Sequence, residues 1–122
     1  MPITLNHTIV PSKDKEGSAR FFARIFGVPY SGPVGHFAQV HVNPDLSFDW
    51  DNSDTFEGHH YAFLVTDQEF DEIFGRLKSE SVRYGSGPNA PANGEINTRR
   101  GGRGLYFVDP DGHLMEIMTT PE

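Results

Sequence analysis

A single carboxylate inside an apolar segment is the first feature of the sequence that suggests chemistry. Glu116 lies between Met115 and Ile117, within residues 113–119, which are predicted to form a β-strand. A buried charge is costly unless a positive group faces it. Two interpretations stay open: a surface strand with Glu116 on its solvent side, or a metal ligand that needs partners elsewhere in the chain.

Histidines on two other predicted strands are the candidate partners. His7 lies in the segment ITLNHTIV, and His59 and His60 are adjacent in HHYAFLVT. Because neighbouring side chains of a strand point to opposite faces, these two adjacent histidines must diverge. His59 shares its face with a bulky row that includes Tyr61, which suits packing against the following helix. His60 shares its face with the small Ala62, which leaves room beside the imidazole, so we expect His60 to face a cleft.

Together, His7, His60 and Glu116 would form a set of two histidines and one carboxylate. Such a set leaves coordination positions open and suits Fe2+, with Mn2+, Co2+, Ni2+ or Zn2+ as alternatives. A single strand histidine is more often structural or solvated than metal-bound, but equivalent positions in two halves of a repeat strengthen the case. The remaining histidines are expected to be structural or solvated: His36, His41 and His113.

Further groups could bind substrate or move protons. Asp49 occupies the position of Glu116 in the first half of the repeat, and it is a candidate fourth ligand, ligand partner, cleft-wall residue or general base. The Gly- and Pro-rich residues 85–103 are predicted to form a lid or cleft rim. Arg99, Arg100 and Arg103 cluster there and could dock an anionic substrate group. The alternative for the arginines is a solvated or subunit-contact patch.

Length and composition narrow the classes of protein. A chain of 122 residues forms one domain or two small halves. The absence of cysteine excludes disulfides, thiolate nucleophiles and cysteine-type zinc sites. A net charge of -7 argues against a nucleic-acid partner, and no apolar run suits a membrane span or signal peptide. We therefore expect a cytoplasmic protein that acts on a small molecule.

The order of the predicted elements repeats along the chain. Each half has a strand, a helix and further strands, including GHFAQVHV and LSFDWDN in the first half and a short strand at residues 82–84 in the second. The segment VNPDLSFDW also echoes VDPDGHLMEI when one gap is allowed, and an internal repeat is a strong fold signal. We predict an α+β fold of two βαβββ modules, about residues 1–53 and 58–122. Their sheets would curve around a shared metal cleft, with the helices on the outer faces.

These motifs resemble the vicinal oxygen chelate superfamily, which includes glyoxalase I, fosfomycin-resistance enzymes, extradiol dioxygenases and bleomycin-resistance proteins. The resemblance covers nearly the whole chain. It rests on LNHTIV, FFARIFG and HYAFLV, and most specifically on GLYFVDPDGHLMEIM. It implies a single glyoxalase/dioxygenase-like domain, commonly in a homodimer.

The resemblance also implies roles for individual residues. Metal ligands are expected at His7, His60 and Glu116. A fourth ligand of the glyoxalase I branch would fall at Asp49, whose side chain is shorter than the usual Glu or Gln. Tyr106 matches a pocket tyrosine whose hydroxyl could bond to a metal-bound oxygen; the alternative is a strand tyrosine packed under the loop.

Two functions from different classes follow from this resemblance. The first is a metal-dependent enzyme acting on a small substrate with neighbouring oxygens. Glyoxalase-like lyase or isomerase chemistry, or transferase chemistry, ranks ahead of ring cleavage by a dioxygenase, since the chain holds a single pair of modules. The second is a metal-free protein that sequesters a small molecule or drug, as bleomycin-resistance proteins do.

Overall fold

The computed structural model describes residues 3–121 and has an α+β fold. It divides into two compact units, Met1–Glu57 and Gly58–Glu122. The elements of the first unit are β1 (His7–Ser12), α1 (Lys15–Phe26), β2 (Tyr30–Val34), β3 (Phe37–Asn43) and β4 (Leu46–Asn52). Those of the second unit are β5 (His60–Leu64), α2 (Asp67–Ser79), β6 (Gly104–Val108) and β7 (Leu114–Met118). Within the described residues, no helix has the length and apolar character needed to cross a membrane.

The first unit is a four-stranded sheet with one helix on it. The strand order is β1-β4-β3-β2, with β1 parallel to β4 and the other pairs antiparallel. Helix α1 begins at its N-cap Asp14 and ends at Gly27, which adopts the left-handed conformation that glycine tolerates best. Its Phe22 ring lies 5.4 Å from the rings of both Phe48 and Trp50, so α1 covers one face of the sheet.

The second unit repeats this connectivity with one strand fewer. The order is β5-β7-β6, with β5 parallel to β7 and β6 antiparallel to it. Helix α2 begins with a capping box, in which Thr66 and Glu69 each accept the backbone N–H of the other. Its buried stripe consists of Phe70, Ile73 and Leu77. The α+β fold of two related modules predicted from the repeat is thus confirmed, and β2 has no counterpart in the described part of the second unit.

Three details of the predicted elements differ from the structure. The first strand begins at His7, so residues 3–6 lie outside it. Strand β2 was not anticipated. The predicted strand at residues 82–84 does not form, and a single bridge joins Gly85 to Tyr106 in its place. The chain cannot extend this pairing, because Ser81 has a φ of 57° and the loop turns back until Ala90 lies against Gly85.

Candidate metal-binding site

Strand register decides which side chains of the second unit share a face. Glu116 on β7 pairs with Ala62 on β5 and with Tyr106 on β6. His60 pairs with Leu114, two residues before Glu116, and therefore lies on the same face. The opposite face carries the buried core residues of the sheet, which are Leu105, Phe107, Met115 and Ile117.

His60 and Glu116 meet on this face. The Nε2 atom of His60 lies 3.0 Å from Oε1 of Glu116. The His60 side chain is 49% exposed, whereas that of Glu116 is 11% exposed, so the imidazole is open to solvent and the carboxylate is largely covered. Ala62, directly opposite Glu116, adds only a methyl group to the space beside them.

Tyr106 lies beside the carboxylate on β6, as the register partner of Glu116. Its hydroxyl accepts a hydrogen bond of 2.8 Å from Nη1 of Arg99. Only 3% of Tyr106 is exposed, and its ring centroid lies 6.0 Å from that of His60. Burial raises the pKa of Tyr106 above its ordinary value, with Glu116 adding to the rise and Arg99 opposing it.

The three arginines of the loop have different environments. Arg99 bonds to Tyr106, whereas Arg103 forms ion pairs with Asp67 at 3.1 Å and Asp71 at 2.7 Å. Arg103 also lies over the ring of Phe70, at 4.4 Å, and thereby ties the end of the loop to α2. Arg100 is exposed and has a φ of 55° in a short 3-10 turn.

The first unit carries the other two predicted residues on the sheet face away from α1. His7 pairs with Ser47, two residues before Asp49, which repeats the placement of His60 relative to Glu116. Nδ1 of His7 donates a hydrogen bond of 2.8 Å to Oδ1 of Asn6, an oxygen that can only accept, so Nε2 is the ring nitrogen outside this bond.

Asp49 has a partner that the sequence did not reveal. Gln39 donates a hydrogen bond of 2.9 Å from Nε2 to Oδ1 of Asp49, which is only 7% exposed. Gln39 holds the same register position relative to Asp49 as Tyr106 does relative to Glu116. Counting outward from the pair Asn43 and Leu46 at the turn would place Gln39 opposite Trp50, and the register shift between His41 and Asn43 brings it opposite Asp49 instead.

The three remaining histidines each contact a polar group. His36 lies 3.4 Å from Asp51, and Nδ1 of His41 is 2.9 Å from Oγ of Ser47. His113 is fully buried, and its Nδ1 accepts the backbone N–H of His59 at 2.9 Å. The structural role expected for these residues stays consistent with such contacts.

A second group with metal-ligand chemistry lies in the turn between β6 and β7. Ligand atoms of Asp109, Asp111 and His113 lie within 4.8 Å of one another. Oδ1 of Asp109 already accepts the backbone N–H groups of Asp111 at 2.9 Å and His113 at 2.8 Å. We interpret this group as the hydrogen-bonded frame of the turn.

The pair on β5 and β7 suits a divalent cation by donor type and spacing. Neutral imidazole and carboxylate are ordinary ligands of Fe2+, Zn2+ and Mn2+. Two adjacent ligands of an octahedral ion with bonds of about 2.1 Å lie about 3.0 Å apart. His60 and Glu116 have that separation.

Comparison with known proteins places the chain in a family. The family model of the Glyoxalase/Bleomycin resistance protein/Dioxygenase superfamily matches residues 4–117. The structure of oxidase ChaP-H2 is 45% identical with a TM-score of 0.94, over 99% of this chain and 96% of that one. Oxidase ChaP-H1 is 47% identical with a TM-score of 0.93, over 98% of each chain.

A curated relative gives a more distant match. The metallothiol transferase FosB of Lysinibacillus sphaericus (strain C3-41) is 26% identical over 125 residues, which is 95% of this chain and 82% of that protein. The enzymes among these relatives support metal-dependent enzyme chemistry in general terms. The chain therefore belongs to the Glyoxalase/Bleomycin resistance protein/Dioxygenase superfamily, as its motifs predicted.

Proposed function

We propose that the protein is a metal-dependent oxidase whose substrate carries two adjacent oxygen atoms, such as a catechol or an enediol. His7, His60 and Glu116 would hold a divalent ion. The observation that carries the proposal is the approach of His60 to Glu116, at 3.0 Å, beside the buried Tyr106. A largely covered carboxylate beside an open imidazole is the arrangement expected of ligands that await a cation.

Oxidation is favoured over the isomerase or lyase chemistry that the sequence ranked first. That ranking rested on the single pair of modules. However, the proteins named oxidases ChaP-H2 and ChaP-H1 are matched over 96% and 98% of their lengths, so one pair of modules is no obstacle. Their identities of 45% and 47% also far exceed the 26% of the transferase FosB.

The side chains of the chain would have distinct tasks. A bound divalent ion would supply Lewis acidity for two neighbouring oxygens and, if redox-active, a path for electrons. Asp49 is the candidate base for a substrate hydroxyl proton, and Tyr106 holds the Glu116 carboxylate in place. With O2 as the acceptor, two electrons and two protons leave the substrate, and one O2 becomes one H2O2.

Metal content tests the ligand set. Protein purified without oxygen and loaded with Fe2+ is desalted and analysed by mass spectrometry of the metal. We expect about one ion per chain in the wild type and at least about tenfold weaker binding in His7→Ala, His60→Ala and Glu116→Gln. His59→Ala is the matched control, since it removes the adjacent histidine, which precedes β5 and is hydrogen-bonded to Tyr61.

Oxygen uptake tests the reaction. Loaded enzyme is mixed with catechols and enediols in an oxygen electrode, and we expect uptake matched by peroxide. Conversion of these compounds without oxygen uptake would instead support an isomerase or lyase. A wild type that binds no metal would overturn the enzyme proposal and favour the metal-free binding protein.

A further inference from the structure

Hydrogen bonds and strand pairing connect the loop to the proposed metal ligands. The guanidinium of Arg99 donates from Nη2 to the carbonyl of Ser86 at 3.2 Å and from Nη1 to the Tyr106 hydroxyl at 2.8 Å. Tyr106 is the register partner of Glu116 on the same face of the sheet, and Oε1 of Glu116 lies 3.0 Å from Nε2 of His60. Two of the proposed ligands thus lie beside the tyrosine that Arg99 contacts.

The chemistry of these groups fixes the direction of the bond between them. A guanidinium has donors only, so the Tyr106 oxygen must accept from Arg99. The phenol proton therefore points away from Arg99 and remains available to the Glu116 carboxylate, an acceptor on the same face of the sheet. Without Arg99, this contact would no longer hold the phenol oxygen in that orientation.

The loop holds Arg99 where this contact is possible. Its backbone N–H donates to Oδ1 of Asn97 at 3.2 Å. Asn97 in turn pairs with Gly104, the first residue of β6, through two backbone hydrogen bonds of 2.8 Å and 3.0 Å. Asn97, two residues before Arg99, is therefore bridged to β6, the strand that carries Tyr106.

We propose that Arg99 is a positioning residue. It orients Tyr106 so that the phenol holds the Glu116 carboxylate ready to bind metal, in place of the anion-docking role that the sequence suggested for it. This inference rests on the proposed metal-dependent function. Arg99 itself would contact neither the metal nor the substrate.

A double-mutant cycle tests the inference through metal affinity. Zn2+ binding is measured by competition with a chelating dye for wild type, Arg99→Met, Tyr106→Phe and the double variant. We expect each single variant to bind about tenfold more weakly, and the double variant to bind no more weakly than either, because both changes break one pathway. Arg99→Lys should restore part of the loss, and Arg83→Met, another exposed arginine, should have no effect.

A vibrational measurement separates this inference from the proposed function. Ultraviolet resonance Raman difference spectra against Tyr106→Phe report whether the Tyr106 phenol accepts a hydrogen bond, with or without metal. We expect Arg99→Met to remove the acceptor signature. An unchanged signature, or losses of affinity that multiply to about a hundredfold in the double variant, would overturn the role of Arg99. A wild type without Zn2+ affinity would overturn the metal function, and the role of Arg99 in orienting the phenol would then be judged by the Raman result.

Discussion

At the scale of single residues, alternation along β7 explains how a carboxylate fits among apolar neighbours. Met115 and Ile117 are at most 1% exposed and point into the core, whereas Glu116 points to the opposite face. There Oε1 of Glu116 lies 3.0 Å from Nε2 of His60, and Tyr106 is the partner of Glu116 on β6. The Glu116 carboxylate thus needs polar neighbours on one face of the sheet, while the other face of β7 stays apolar.

Asp109 gives a prediction at the same scale. Burial raises the pKa of Asp109 above its ordinary value of 3.8, against the opposing effect of the His113 backbone N–H. A carboxyl with a raised pKa holds its proton more tightly in the folded state. Its contribution to the free energy of unfolding is therefore present at low pH and is lost as pH rises through the folded pKa.

The variant Asp109→Asn should lack the part of the pH dependence of stability that comes from ionisation of Asp109. Asparagine keeps an oxygen for the two backbone N–H groups but cannot ionise. We expect its free energy of unfolding, relative to the wild type, to increase as pH rises from below 3.8 towards neutral. Urea titrations at several pH values measure the difference, and a difference independent of pH would contradict the assignment.

Residue types and the alternation of side chains along a strand were enough to choose His60 over His59 as the candidate ligand and to pair it with Glu116. They did not reveal the links of Arg99 to Tyr106 or of Gln39 to Asp49. The first link depends on how a long irregular loop folds back onto β6, which no local pattern encodes. The second depends on the strand register, which shifts between His41 and Asn43.

At the scale of elements, local signals were most reliable where capping and periodicity agreed. The first helix ends at Gly27 and the second begins at Thr66, and both residue types favour these helix ends. Strand β2 was missed because Gly32, with a φ of 92°, and Pro33 lie inside it. It is an edge strand with a register shift, where such residues are tolerated.

The capping box of α2 allows a test of an element end. Thr66→Ala removes the side-chain acceptor of the Glu69 N–H, a hydrogen bond of 3.1 Å. We expect the free energy of unfolding to fall by about 1 kcal/mol. Gln68→Ala, an exposed change in the same first turn, is the control and should have a much smaller effect. Equal stability of the two variants in urea would show that the box contributes nothing.

At the scale of the whole molecule, the two units carry the same arrangement twice. In each, a histidine on the first strand lies two register positions from a carboxylate on the last. In each, a polar residue on the preceding antiparallel strand is the register partner of that carboxylate. The repeat was visible in the sequence, and its register explains why equivalent residues have equivalent neighbours.

Because the proposed ligands come from both units, metal binding should stabilise the whole chain. A ligand that binds only the native state at a concentration of about 100 times its Kd adds about 2.7 kcal/mol. For a chain of this size, we expect the Tm to rise by several degrees. The rise should be much smaller in His7→Ala, although His7 lies in the first unit, while His41→Ala should keep it. Differential scanning calorimetry with and without Zn2+ gives the comparison.

An anomalous-scattering map from crystals grown with Fe2+ or Zn2+ tests most directly whether His7, His60 and Glu116 bind one divalent ion. We expect one strong peak within about 2.3 Å of imidazole nitrogens of His7 and His60 and of a carboxylate oxygen of Glu116. A peak at Asp109, Asp111 and His113 instead, or no peak with the metal in excess, would contradict it.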